Sequence, residues 1–86
     1  MFEMTYADRI RTKLQAAFAP ELLQVIDESA QHAGHSGARP GGETHFRVVM
    51  KAASLAGLTR VAQQRAVYAV LKDEMTERVH ALALSL

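Results

Sequence analysis

The sequence predicts a small α+β domain in which helices pack on one face of a three-stranded mixed sheet. Two segments have the apolar spacing of helices, and three have the alternation of strands. A short helical turn follows the second helix, so the order along the chain is αββααβ. With 86 residues, the chain has room for one small core. We therefore expect residues 1–86 to form a single domain.

The first helix is predicted over residues 5–18. Thr5 and Asp8 resemble a capping box, and apolar residues recur at helical spacing until Pro20 ends the pattern. Residues 22–29 alternate as a strand does, with Glu28 and Ser29 leading out of it. Residues 30–42 contain four glycines and a proline and are predicted to form a loop.

The second strand is predicted over residues 43–52, with one apolar side and one largely basic side. Thr59 is a suitable N-cap for a long helix whose apolar stripe runs to Met75, and a short helical turn follows over residues 74–78. Residues 79–86 are predicted as the third strand. Its alternation places four residues on one face: His80, Leu82, Leu84 and Leu86.

The topology groups the histidines. Strands one and two should pair antiparallel across the loop, and strand three should run parallel to strand two if the two are neighbours, because a helical crossover joins them. The loop and the start of strand three then share one edge of the sheet. We expect His32 or His35 to lie close to His80 there, with His45 near the same edge.

Composition excludes several classes of function. The chain is 49% apolar and 22% charged, has a formal charge of +1, and contains no cysteine, so disulfides and CxxC redox chemistry are absent. Near-neutral charge gives no support for binding mainly to phosphates. The first residues do not resemble a signal peptide, and no run approaches a membrane span, so we expect a cytosolic protein. No nucleophile with a neighbouring base and no phosphate loop is present, so we expect no enzymatic activity.

Several segments together resemble the BolA family. They are Ile10-Arg11-Thr12-Lys13-Leu14, Asp27-Glu28-Ser29, His32 with Gly34-His35, Glu43-Thr44-His45-Phe46-Arg47-Val48 and Val79-His80-Ala81-Leu82. The resemblance covers nearly the whole chain and implies a fold similar to a type II KH domain. Gln64 stands where many members have histidine, and Leu55 where an aromatic residue is usual, so surface recognition by the long helix is expected to differ.

The resemblance implies partnership with a monothiol glutaredoxin. Such pairs share a [2Fe–2S] cluster held by the glutaredoxin cysteine, glutathione, and histidine from the BolA-like chain. The matching ligands here are His80 and His32, with His35 as the alternative loop ligand. Imidazole in place of thiolate raises the cluster potential and adds a ligand that can be protonated. We expect an adaptor in cluster assembly, transfer or iron sensing, with no cofactor on the isolated chain.

Each candidate site residue also has a purely structural interpretation. Without the resemblance, His80 is better explained as a partly buried side chain bonded to a backbone carbonyl, and His32 with His35 as a weak zinc chelate or a solvated loop. His45 is expected to bond across the sheet or brace the loop. Arg47 is expected to be solvated or to face a partner.

The resemblance also implies an alternative function, a DNA-binding transcriptional regulator of stress response and cell morphology that uses the KH-like scaffold. KH domains hold the nucleic-acid backbone with a GxxG loop, and the equivalent turn here, residues 72–77, has no glycine and is acidic. Asp73 and Glu74 are expected at an exposed helix end. Binding by another surface would use Arg60 and Arg65, or the first-helix cations Arg9, Arg11 and Lys13, although scattered cations usually form a solvated face.

Overall fold

The computed structural model describes residues 5–29 and 44–86, and their elements follow the predicted order. The elements are α1 (Tyr6–Phe18), β1 (Leu22–Asp27), β2 (His45–Lys51), a short 3-10 turn (Ala53–Leu55), α2 (Arg60–Val70), α3 (Lys72–Glu77) and β3 (Ala81–Ser85). The three strands form one mixed sheet within these residues. The predicted α+β class is confirmed.

The central strand of the sheet is β2. It pairs antiparallel with β1, from Leu22 opposite Lys51 to Asp27 opposite Phe46. It pairs parallel with β3, beginning at His45 opposite Ala81. Both predicted pairings are confirmed, and they bring the end of β1 and the starts of β2 and β3 to one edge of the sheet.

The core lies between the sheet and the helices. Alternation along β2 is as predicted, because Thr44, Phe46, Val48 and Met50 are buried while the residues between them are half-buried or exposed. Replacing Phe46, which is 2% exposed, by alanine would cost about 3–5 kcal/mol. The helices contribute further buried side chains, among them Ile10, Leu14, Val67 and Leu71.

Local hydrogen bonds explain where α1 begins and ends. The Thr5 hydroxyl accepts a hydrogen bond from the Asp8 N–H at 3.0 Å, and the Asp8 carboxylate accepts one from the Thr5 N–H at 3.3 Å, which confirms the capping box. Hydrogen bonding of the Asp8 carboxylate to the side chain and the backbone of Thr5 lowers the pKa of Asp8. At the other end, Ala19 adopts a left-handed conformation, φ 45°, and its N–H donates to the carbonyl of Gln15.

The long helix and the short one that follows it are both present, but the long helix ends earlier than predicted and the short one begins at Lys72 instead of residue 74. The break falls at Leu71, with φ −99° and ψ 17°, and Met75 belongs to α3. Leu71 is fully buried and its N–H still bonds to Val67, so the chain changes direction without leaving the core. Apolar periodicity continues across the break, which is why the sequence pattern extended the long helix to Met75 and did not place the break at Leu71.

The third strand starts two residues later than predicted. Val79 is buried, and its N–H donates to the carbonyl of Glu74 at 3.0 Å, so it closes the end of α3. The alternation predicted that His80 and Leu82 lie on the same face of the strand. In the structure His80 is exposed whereas Leu82 is buried, so this prediction is wrong. The chain enters the sheet only at Ala81.

Candidate functional site

Two histidines meet at the edge where β2 and β3 begin. The ring centroids of His45 and His80 are 6.4 Å apart, with an angle of 46° between the ring planes. His80 is exposed and His45 is half-buried. The parallel register explains the proximity, because His45 lies opposite Ala81. The two loop histidines expected nearby, His32 and His35, lie outside the described residues.

Thr44 fixes both histidines. Its carbonyl oxygen accepts hydrogen bonds from the N–H groups of His80 at 2.7 Å and Ala81 at 3.2 Å. Its hydroxyl oxygen lies 2.8 Å from Nδ1 of His45. Thr44 is completely buried, so these bonds are shielded from water. One residue therefore sets the backbone of His80 and the ring of His45.

Ser29 holds Thr44 from the other side. Its buried hydroxyl oxygen accepts hydrogen bonds from the N–H groups of Thr44 at 2.9 Å and His45 at 3.2 Å. The N–H of Ser29 donates in turn to the carboxylate of Asp27 at 2.8 Å. We call this arrangement the Ser29–Thr44 clasp. It joins the end of β1 to the start of β2, and so fixes both residues that flank 30–43.

The clasp engages one ring nitrogen of His45. Metal-binding histidines are commonly oriented by a hydrogen bond to the second ring nitrogen, and the Thr44 hydroxyl makes such a bond to His45. Within residues 5–29 and 44–86, no three side chains of the metal-binding types come together. This edge therefore offers two imidazoles, and a complete ligand set would need further donors from outside these residues.

Arg47 lies beside the histidines on the outer side of β2. Its Nε donates to the carboxylate of Glu28 at 3.1 Å, and the N–H of Glu28 donates to the carbonyl of His45 at 2.8 Å. The Arg47 side chain remains 46% exposed. It is thus ion-paired and also accessible to a partner.

A charged cluster joins α1 to α3, and the sequence pattern missed it. Glu74 was predicted at an exposed helix end, yet it is completely buried, whereas the Asp73 side chain is 72% exposed. The Glu74 carboxylate accepts hydrogen bonds from Arg9 at 3.0 Å and Lys13 at 2.9 Å. Burial raises its pKa, but the hydrogen bond and charge of Lys13, with the charge of Arg9, hold the pKa below its usual value.

The same cluster changes the interpretation of the α1 cations. Arg9 donates to both carboxylate oxygens of Glu77 and stacks over the ring of Tyr6, 4.5 Å from its centroid. The hydrogen bond from Arg9 lowers the pKa of Glu77. Arg9 and Lys13 are therefore neutralised within the fold, and the expectation of a solvated basic face on α1 is wrong for these two residues.

The structure also corrects the position of the KH-type turn. Residues 72–77, predicted as that turn, are helix α3. The connection between α2 and α3 is the single buried residue Leu71. It offers no exposed glycine loop for a nucleic-acid backbone. Arg60 and Arg65 are both exposed on α2.

A surface cavity of about 420 Å³ lies at the opposite end of the sheet, beside Lys51 and Leu86. Alanine and leucine side chains form much of its wall, and no histidine lines it. It is therefore separate from the histidine edge. No helix within the described ranges has the length and hydrophobicity needed to cross a membrane.

These features define a small α+β domain that carries histidines at one clasped edge of its sheet. The family described as "BolA-like protein" matches residues 14–86. The chain belongs to this BolA-like family.

The chain is similar to human "BolA-like protein 1", with 44% identity over 75 residues that cover 87% of this chain and 52% of the relative. It thus spans about half the length of that mammalian protein. It is 40% identical to "DNA-binding transcriptional regulator BolA" of Escherichia coli K12 over 81 residues, covering 94% of this chain and 73% of the relative. The family and these relatives are named as regulators or BolA-like proteins, not as enzymes.

A solved structure confirms the fold. The "BolA domain of SufE1 from Arabidopsis thaliana" superposes with a TM-score of 0.84 and 36% identity, covering 98% of this chain and 92% of that chain. The resemblance inferred from the sequence segments is thereby confirmed.

Proposed function

We propose that this chain is a non-enzymatic adaptor that pairs with a monothiol glutaredoxin and supplies histidine to a shared [2Fe–2S] cluster. The observation that supports this proposal most directly is the exposed His80, whose backbone is fixed by the buried Thr44. An exposed imidazole whose backbone is hydrogen-bonded to a buried residue suits a ligand for a group held partly by another protein. The cytosolic location stays a prediction.

The residues present fit half of a cluster site. Four ligands hold the two irons of such a cluster, and this chain has no cysteine, so it can contribute only histidine nitrogens. We assign one ligand to His80 and one to His32, with His35 as the alternative to His32. The partner cysteine and glutathione would complete the set. When bound, the cluster supplies one-electron and cluster-transfer chemistry.

The chain's own residues would serve this role by position. Thr44 holds the backbone of His80, so the imidazole projects from a defined point on the sheet edge. The Ser29–Thr44 clasp holds together the two residues that flank 30–43, Ser29 and Thr44. His45 is anchored to Thr44 through Nδ1 and would line the site beside the ligands.

Visible circular dichroism tests this proposal. The chain is titrated anaerobically into a cluster-loaded monothiol glutaredoxin with glutathione, using the wild type, His80→Ala, His32→Ala and His35→Ala. We expect a spectral change that saturates near one to one, is lost in His80→Ala, and is weakened by only one of the two loop variants. No spectral change with the wild type would refute the cluster role.

A DNA-binding regulator is the second candidate, because the Escherichia coli relative carries that name. The exposed Arg60 and Arg65 are its best contacts on this chain. The buried α2–α3 connection lacks the GxxG clamp of KH domains, so binding would have to use another geometry. Affinity for a duplex that depends on sequence, and not only on salt, would favour this candidate.

A further inference from the structure

The outward face of α2 exposes apolar side chains. Val61 is 53% exposed, Tyr68 is 39% exposed, and Leu58, just before the helix, is 45% exposed. Val61, Arg65 and Tyr68 follow one another at spacings of four and three residues, so they lie on one side of the helix. We call Leu58, Val61, Arg65 and Tyr68 the α2 face.

Arg65 is the charged residue of the α2 face, and the charged residues beside it in sequence, Arg60 at the start of α2 and Lys72 at the start of α3, are also cations. Residues 53–72 contain Arg60, Arg65 and Lys72 and no aspartate or glutamate. Within the described ranges, none of these three cations forms an ion pair, whereas Arg9, Lys13 and Arg47 are all paired with carboxylates. The chain is nearly neutral overall because the acidic groups lie elsewhere, so the positive charge here is local.

Tyr68 connects the α2 face to β3, the strand that begins one residue after the candidate ligand His80. Its hydroxyl donates to the carbonyl oxygen of Leu82 in β3 at 2.9 Å. Leu82 is two residues from His80, or about 7 Å along an extended strand. A protein bound over Tyr68 would therefore be close enough to reach the histidine edge.

We propose that the α2 face is the docking surface for the protein that shares the cluster, and that the matching surface of this partner is acidic with apolar side chains at its centre. The inference rests on the proposed function for its choice of partner. Acidic groups on the partner would complement the positive charges of Arg60, Arg65 and Lys72. Exposed aliphatic side chains such as Val61 gain most from contact with other apolar side chains, which favours a protein over a nucleic acid.

Binding without the cluster tests the proposal. Isothermal titration calorimetry measures the affinity of this chain for metal-free monothiol glutaredoxin, with glutathione absent. Val61→Asp should weaken binding by about tenfold or more, since it puts a charge at the centre of the contact. Arg65→Glu should weaken it by about threefold or more, with the larger loss at low salt. Lys51→Glu, an equal charge reversal at the other end of β2, should bind as the wild type does.

The outcomes separate this inference from the proposed function. Unchanged affinity for Val61→Asp and Arg65→Glu, with the cluster spectrum still dependent on His80, would overturn the docking surface and leave the cluster role standing. Binding that is sensitive to Val61 but gives no cluster spectrum would support docking and refute the cluster role. If Arg65→Glu abolishes binding of a fluorescent DNA duplex and leaves glutaredoxin affinity intact, the surface belongs to nucleic acid and the proposal is wrong.

Discussion

The carbonyl oxygen of Thr44 accepts a hydrogen bond from the N–H of His80 at 2.7 Å, which is the first contact between the start of β3 and the start of β2. Through this bond a buried residue sets the position of an exposed one. The hydroxyl of Thr44 adds a second connection, to Nδ1 of His45 at 2.8 Å. One buried residue therefore organises the histidine edge, through its backbone carbonyl and its side-chain hydroxyl.

Removing the Thr44 hydroxyl should release the ring of His45 while leaving the bond to His80. Thr44→Val keeps the shape and the backbone carbonyl, and should cost about 0.5–2 kcal/mol of stability. Nitrogen chemical shifts of the His45 ring, measured by NMR, should change in Thr44→Val and stay near wild type in Thr44→Ser. Identical shifts in both variants would show that the hydroxyl does not orient this ring.

Removing the Ser29 hydroxyl should destabilise the fold more than its size suggests. Ser29→Ala leaves the buried N–H of Thr44 and the part-buried N–H of His45 without their acceptor, which should cost about 1–3 kcal/mol in the free energy of unfolding. Ser85→Ala, at an exposed position, is the matched control and should change stability by less than about 0.5 kcal/mol. Urea denaturation measures both. Equal stability of the two variants would contradict the clasp.

The buried cluster around Glu74 should make stability depend on pH in acid. The folded-state pKa values of Glu74 and Glu77 are below the ordinary value of 4.5, so the unfolded chain binds protons more readily there. Their contribution is fully present above pH 4.5 and is lost as the pH falls through the lowered folded-state pKa values. Thermal unfolding as a function of pH should show this loss.

Glu74→Gln should remove much of this acid dependence. It should also destabilise the fold at neutral pH by about 1–3 kcal/mol, because Arg9 and Lys13 lose a buried carboxylate but keep access to water. Asp73→Asn, at a neighbouring exposed carboxylate, should have little effect on either quantity. A Glu74→Gln variant with the wild-type pH profile would show that the cluster does not link α1 to α3 energetically.

The sequence predicted the parts of the fold that depend on local periodicity. Alternation along β2, the capping box at Thr5 and the strand directions follow from local patterns and short connections. It failed at Leu71 and Val79, where apolar residues continue a pattern across a change of direction. These positions are decided by long-range packing, which periodicity does not contain.

The candidate site was predicted only in part. The meeting of His45 and His80 follows from topology, and the contact is present. The sequence gives no indication of the roles of Ser29 and Thr44 beyond a polar residue at each end of the predicted loop. Likewise, Arg9 and Glu74 are 65 residues apart in sequence, so their ion pair appears only when α1 and α3 are packed together.

Pulsed electron paramagnetic resonance tests the central claim, ligation by His80, most directly. This chain is labelled with ¹⁵N-histidine, mixed with unlabelled, cluster-loaded monothiol glutaredoxin and glutathione, and the cluster is reduced to its paramagnetic state. We predict a strong ¹⁵N hyperfine coupling in the wild type and in His45→Ala, and its loss or marked reduction in His80→Ala. A reduced cluster that couples to no ¹⁵N in the presence of saturating wild-type chain would contradict the account.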